Sequence, residues 1–443
     1  MLTPLSPSEA LSIIESVISQ SESDGVFVHI NAHESALSRY SENQISQNIH
    51  KSNFNLSITS YFGQRSASVS TNELDPQAIT QTLRRSETLA RVVPEDPEWV
   101  PLLSPIEYDS RLPANDPYTA ELSPLERGEK VKQVCQWCSQ AGVEGSGTLS
   151  TGTKVQAVGN SLGLSGYNCT TEANFGITAR VDSGSSWSSH SATGIDLIPL
   201  EGTTETVIKR ALSSRNPQEI QPDVYPVVFE AAAFAELLSW VIGNLDARAA
   251  DEGRSFMSRI DEQGKAAGNR LGEALFSPLV QVSRNPAHPL LQSGTFFEDG
   301  LSNHYLEIIK DGIAENLSYS RYWAQQQGKQ PTGALFPMVM AGSKQSLSDL
   351  IAQTERGILV SRAWYVRYVN PRTLEVTGMT RDGTFWIEEG KIAYPIKNLR
   401  FNQCLPAMLR DVDGVSSVQR FGNRVVPGVR VKAFNFSSVT DSV

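Results

Sequence analysis

Between residues 25 and 71 the chain alternates apolar and polar side chains with a period of two. That pattern confines the region to half-buried antiparallel strands. Successive side chains of a strand point to opposite faces, so runs such as Leu56-Ser57-Ile58-Thr59 and Ala67-Ser68-Val69-Ser70 load one face for a core and leave the other for water. The alternation predicts strands over 25–31, 37–40, 45–51, 54–62 and 65–71, with Tyr61-Phe62-Gly63-Gln64-Arg65 as the turn between the last two. Helices bracket them. Ser6-Pro7-Ser8-Glu9 is a capping box that opens a helix to about Gln20, and Asp75-Pro76 starts another to about Arg91. The proline-rich stretch 94–117 reads as an extended, solvated linker.

A second capping box, Ser123-Pro124-Leu125-Glu126, predicts a helix over 124–140. Strands follow over 145–152, 154–160, 162–170 and 172–182. The serine-rich run 183–194 is either a flexible tip or an irregular strand lining a groove. A helix over about 203–213 then precedes a proline-marked junction at 217–226. Cys135-Gln136-Trp137-Cys138 has redox or zinc spacing, but it falls mid-helix with no second pair, so structural thiols are expected. Cys169 and Cys404 stand alone.

The third segment begins with Phe229-Glu230-Ala231-Ala232-Ala233-Phe234, read as the opening of a helix that continues through Ile242. Phe229, Ala233, Leu237, Trp240 and Val241 would share one face, and Phe234, Leu238 and Ile242 another. A helix apolar on most sides is a buried one. Beyond it, Asp-Gly and Glu-Gly turn signals separate apolar stretches, 385–395 reads as a hairpin, 402–413 as a helix, and 425–436 as a closing strand pair. No repeat and no strand–helix–strand rhythm is evident, so the expected class is α+β with antiparallel sheets throughout. Four parts are expected: an N-terminal α+β domain (1–93) with helices flanking its sheet, the linker 94–117, a central β-rich domain (118–222), and a C-terminal β-rich, barrel-like domain (223–443) around the buried helix.

Charge narrows the functional classes. The 443 residues carry a net −10 with no basic stripe, which argues against a nucleic-acid binder. No run of 18 apolar residues is present, so no membrane span is expected, and an N-terminus without a basic start or a small-residue cleavage site suggests a cytoplasmic chain. None of the six histidines pairs with another at i, i+4 on a predicted helix. His29 and His33, with Glu34 adjacent, read as a surface loop. No nucleophile elbow and no phosphate-cradling loop occurs.

Several segments, in order, carry a family likeness: Phe62-Gly63-Gln64-Arg65-Ser66-Ala67-Ser68-Val69-Ser70-Thr71, Pro94-Glu95-Asp96-Pro97, Gly253-Arg254-Ser255-Phe256-Met257, Phe297-Glu298-Asp299-Gly300, Ile309-Lys310-Asp311-Gly312, Glu355-Arg356-Gly357-Ile358-Leu359-Val360 and Phe385-Trp386-Ile387-Glu388-Glu389-Gly390-Lys391-Ile392. Together they resemble the TldD/PmbA (TldD/TldE) metallopeptidase family. The resemblance implies that catalytic members carry His-Glu-x-x-x-His at 229–234, with two zinc-ligating imidazoles and a glutamate base, and a third ligand, a cysteine, in a glycine-rich segment near the C-terminus. Here the motif positions are Phe229, Glu230 and Phe234, and Ser416-Ser417-Val418-Gln419-Arg420-Phe421-Gly422 holds no cysteine. A benzyl group has no lone pair for a metal. The resemblance therefore points to the metal-free PmbA/TldE-like branch. Such a chain would be the partner subunit of a TldD-type zinc peptidase acting on unfolded peptides, with zinc expected only in that partner and no cofactor of its own. Glu230, with no metal-bound water to deprotonate, becomes a structural carboxylate near a helix N-terminus, and the two phenylalanines would pack where the metal would sit. Two alternatives stay open: a peptidase with a relocated site, and a homodimeric peptide-binding module without hydrolysis.

Overall fold

Both capping boxes form in the computed structural model, which describes residues 5–109, 111 and 113–440. Helix α1 (Pro7–Gln20) starts at Ser6, whose hydroxyl accepts from the Glu9 amide. Helix α2 (Pro76–Val92) starts at Asp75, whose carboxylate accepts from the amides of Gln77 and Ala78. The strands run longer than the alternation predicts. β1 (Gly25–Ser41) and β2 (Gln44–Phe62) are continuous through the polar positions where breaks were expected, and β3 (Arg65–Thr71) completes the hairpin. Ladder bonding to a neighbour carries the backbone across polar side chains that alternation alone reads as a gap. His29 and His33 accordingly lie on β1 and not in a surface loop.

After the 94–117 stretch come α3 (Pro117–Glu121), α4 (Pro124–Gln140), β4 (Glu144–Asn160), β5 (Ser165–Val181) and β6 (Gly184–Ala192). The serine-rich run is thus a strand. β4 pairs antiparallel with β1, from Phe27 opposite Asn160 to Tyr40 opposite Gly147. Residues before and after the 94–117 stretch therefore share one six-stranded sheet, in the order β3-β2-β1-β4-β5-β6.

Two helix layers cover one face of this sheet. α1 and α2 pack Ile14, Val17, Ile79 and Leu83 against Val26, Val28, Ile30 and Ala157. Farther along, α4 and α5 (Leu200–Ser213) pack Val131, Val134 and Val207 against Tyr40, Leu149, Phe175 and Ile177. Cys135 and Cys138 belong to this second core, and burial pushes the Cys138 thiol up to about 11, which keeps it protonated and inert. The core is tightest at Gly147. A β-carbon there would overlap the Gly176 carbonyl oxygen and stand 2.6 Å from the Tyr40 hydroxyl. Backbone cannot yield as a side-chain tip does, so Gly147→Ala should cost about 2–3 kcal/mol, read as a lower denaturation midpoint in urea.

Beyond the junction, β7 (Val224–Phe229) lies between strand Arg424–Val439, antiparallel to it, and strand Arg356–Val360, parallel to it. A second parallel pair joins Met338–Met340 to Arg424–Val439, so the sheet is mixed and the expectation of antiparallel pairing throughout is corrected. Its thirteen strands do not form a closed barrel among the described residues: the end strands, Ile313–Ala314 and Lys391–Pro395, pair with no further strand. Closure needs two edges to meet in a consistent stagger, and this sheet branches instead of joining its ends. The buried helix is present as α6 (Ala231–Gly243). The helix expected over 402–413 is instead strand Leu399–Cys404, a six-residue helix Leu405–Arg410 and strand Val412–Phe421. Leu399, Phe401 and Gln403 alternate inward, a period-two signal outweighed in sequence by the helix-forming residues after it. Among the described residues no helix is long and apolar enough to cross a membrane.

Candidate functional site

The two motif phenylalanines reach the core from different elements. Phe229 is the last residue of β7, held opposite Val360 and Val429, and is not part of the helix. Glu230, with extended backbone (φ −65°, ψ 154°), is the N-cap, and Phe234 lies in the first turns of α6. The amide of Glu230 still donates to the Val360 carbonyl, so strand pairing delays the helix. The expected helical face joining Phe229 to Ala233 is therefore replaced by a strand-to-helix turn. Phe229 is 1% and Phe234 0% exposed. The Phe229 ring meets Phe434 edge-on at 5.0 Å between centroids, and Phe434 in turn contacts Phe401 and Phe436.

Glu230 is fully engaged. Arg210 on α5 reaches it with two contacts, Nη1 to Oε2 at 2.9 Å and Nη2 to Oε1 at 2.8 Å, and the Ser361 hydroxyl donates to Oε1 at 3.0 Å. The side chain makes no capping hydrogen bond to α6. Its position at the helix start agrees with the sequence expectation, but its partners do not: it is a bidentate strut tying α5 to the β7–α6 turn and to the end of strand Arg356–Val360.

The stretch 416–422 is brought to the same place. Ser416 lies on strand Val412–Phe421, and its buried hydroxyl accepts from the Gly428 amide at 2.9 Å and contacts the Ser417 carbonyl at 3.0 Å. A β-carbon on Gly428 would stand 3.0 Å from the Phe229 carbonyl and 3.1 Å from Ser416 Oγ. The fold thus gathers the three motif regions, but their side chains are two benzyl groups, a hydroxyl bonded to backbone and an arginine-paired carboxylate. They do not fit zinc, which needs several nitrogen, sulfur or carboxylate donors converging on one point. Among the described residues, no group of three His, Cys, Asp or Glu side chains converges in that way.

A cleft of about 440 Å³ opens along the outer flank of α6. One wall is Ala232, Glu236 and Trp240 of α6, another is Trp187 of β6, and a third is the segment 362–367. The Arg362 guanidinium is stacked between Trp187 and Trp364, 4.3 Å from each ring centre, and Asp382 anchors it at 2.7 Å. Arg367 lies over Tyr365 at 4.3 Å, and Trp240 meets Tyr368 edge-on at 4.6 Å. Arg424 bonds Ser239 at 3.1 Å and approaches Glu236 at 3.7 Å. Among the described residues, strand Ala363–Asn370 pairs on one side only, with Glu375–Thr380, and its register slips between Trp364 and Arg367. Tyr365 sits there in the left-handed region at φ 54°, which turns Trp364 and Tyr365 outward, 40% and 58% exposed. Such a bulge re-aims side chains at an edge, and a left-handed aromatic residue persists only where its surroundings hold it. Sequence reasoning passed over Arg362-Ala363-Trp364-Tyr365-Val366-Arg367. Its interleaved arginines and aromatics were the available signal.

The sequence of the chain matches the PmbA/TldA metallopeptidase central domain over residues 112–215 and the PmbA/TldA metallopeptidase C-terminal domain over residues 222–438. It is 26% identical over 377 residues to the metalloprotease PmbA of Escherichia coli O157:H7, covering 81% of this chain and 79% of that one. It is 23% identical over 381 residues to a PmbA homologue of Haemophilus influenzae, covering 82% and 80%. Its fold is similar to the crystal structure of TldE from Thermococcus kodakarensis, with a TM-score of 0.83 at 18% identity over 96% of this chain and all of that one. A protein of Bacteroides thetaiotaomicron gives 0.84 at 19% identity over 99% and 100%. With two successive domains matched in order across the altered motif and the cleft beside it, the chain belongs to the PmbA/TldD metallopeptidase family.

Proposed function

We propose that this chain is a metal-free, TldE-type subunit that pairs with a TldD-type zinc peptidase and presents the cleft beside α6 to extended peptides. The observation that carries this reading is the chemistry at the three motif regions. Phe229 and Phe234 are built into the core, Ser416 is bonded to backbone, and Glu230 is committed to Arg210 and Ser361. With both oxygens engaged by an arginine and no metal-bound water to deprotonate, this carboxylate is a poor general base. The one-sided strand Ala363–Asn370 offers unpaired backbone groups to an incoming strand, a mode that makes little demand on sequence. The stacked aromatics and arginines beside it favour peptides with aromatic or acidic side chains.

Purified alone, the chain is expected to carry no stoichiometric zinc and to leave casein and short peptides uncut. Co-expressed with a His-Glu-x-x-x-His homologue, it should elute as one stoichiometric complex, held by an interface above about 1,000 Å² in total. Elemental analysis giving one tightly bound zinc per chain, with chelator-sensitive proteolysis, would overturn this reading in favour of a relocated site. Separate elution of the two chains at micromolar concentration, with this one self-associating and still binding peptides, would favour a homodimeric peptide-binding module.

A further inference from the structure

The two helix layers on the N-terminal sheet leave a seam between them. Along one face of β1, Val26, Val28 and Ile30 lie under α1 and α2, and Tyr40 lies in the core built by α4 and α5. Neither core includes the residues between, where the face is mixed: Glu34 on β1 lies between Ser52 on β2 and Thr153 on β4, and the next inward residue, Ala36, lies between His50 and Thr151. A cavity of about 390 Å³ occupies the seam, roofed by Leu122 and Arg127.

Arg127 is the unusual member. It is 1% exposed, its Nε donates to Ser38 Oγ at 3.1 Å, and its Nη1 makes only a long contact of 3.4 Å to the Leu122 carbonyl. Among the described residues no carboxylate forms an ion pair with it. It also sits in the first turns of α4, where the helix dipole already places positive charge. A buried cation in that position is doubly penalised unless an anion joins it. Farther along the seam, four residues down β1 from Ser38 and so about 13 Å away along the strand, Glu34 Oε1 is buried with no hydrogen-bond partner among the described residues. One cavity thus carries an unmatched cation at one end and an unmatched carboxylate oxygen at the other.

We propose that this cavity binds a tripeptide with both termini free, its carboxylate on Arg127 and its ammonium group at Glu34. An extended tripeptide spans roughly 10 Å, which matches the two ends once their side chains lean into the cavity. A single amino acid is too short to reach both. The hydroxyls of Ser52, Thr151 and Thr153 provide partners for the peptide's amide groups without selecting side chains. A guanidinium suits this task because its planar fork takes both oxygens of a carboxylate. The cavity uses none of the residues of the α6 cleft, so it stands or falls independently of the partner-subunit reading.

The test is calorimetric titration of the full chain with trialanine, its C-terminal amide and its N-acetyl derivative. Trialanine is expected to bind, and blocking either end should weaken binding about tenfold or more, the worth of one lost charge-assisted contact. Glu34→Gln should weaken trialanine by a similar factor while leaving the affinity for N-acetyl-trialanine unchanged. Arg127→Met should do the same with respect to the amide. No binding of trialanine at millimolar concentration, equal binding of the blocked forms, or unchanged affinity in both variants would each overturn the proposal. Should Arg127→Met fail to fold, the blocked peptides on the unaltered chain and Glu34→Gln still decide it.

Discussion

Phe229→His combined with Phe234→His is expected to give a protein that unfolds far more readily than the parent and takes up no stoichiometric zinc. Each ring is fully buried, and each contributes about 1.5–3 kcal/mol of apolar burial that an imidazole only partly replaces. Each imidazole also places a polar ring where its neighbours are Phe434, Leu237 and other apolar groups, at a further cost of about 1–3 kcal/mol without a partner. The sum over both sites is roughly 5 kcal/mol or more, a large part of the stability of an ordinary domain. Zinc would offset this only with further donors, but Ser416 is bonded to the Gly428 amide and Glu230 is held by Arg210. Differential scanning calorimetry and elemental analysis of the double variant check the point. A variant that binds zinc tightly and cuts peptides would mean that the surrounding pocket is catalytically intact and that the chain is a recently disarmed peptidase.

The second large effect is expected at Glu230. Glu230→Ala removes both contacts of Arg210 and the acceptor of Ser361, leaving a guanidinium that is only about a quarter exposed without its counter-charge. Loss of one partner of a fully buried pair costs about 3–5 kcal/mol, and the partial exposure here reduces that to roughly 2–3 kcal/mol. The pair joins α5 to the β7–α6 turn, so the loss should appear as looser packing between those elements, with faster amide exchange at Glu230 and Ser361. Arg210→Met with Glu230→Leu should recover most of the stability, because two apolar groups leave no orphaned charge. Urea denaturation of the single and double variants measures both quantities. A change below about 0.5 kcal/mol in Glu230→Ala would show that the pair is no strut but a surface contact of the ordinary weak kind.

Which parts of this molecule were legible beforehand follows from where their causes lie. Sequence alone determined the features set by neighbours a few residues apart. The capping boxes at Ser6 and Ser123 fixed helix starts, alternation marked strands between 25 and 71, and a helix apolar on most sides announced burial. Phenylalanine at 229 and 234 excluded imidazole chemistry whatever the fold. Tertiary structure alone decided features whose causes are distant in sequence. Phe229 ends a strand because Val360 and Val429 pair with it, so a helical pattern could not show the turn at Glu230. Glu230 finds Arg210 and Ser361, the second of them 131 residues away, and no periodicity records such a meeting. The pairing of β1 with β4, the open edge at Trp364 and Tyr365, and the seam that sets Arg127 against Glu34 have the same origin. Each arises where separately stable elements meet, and a local pattern states which face an element will bury but not which surface will bury it.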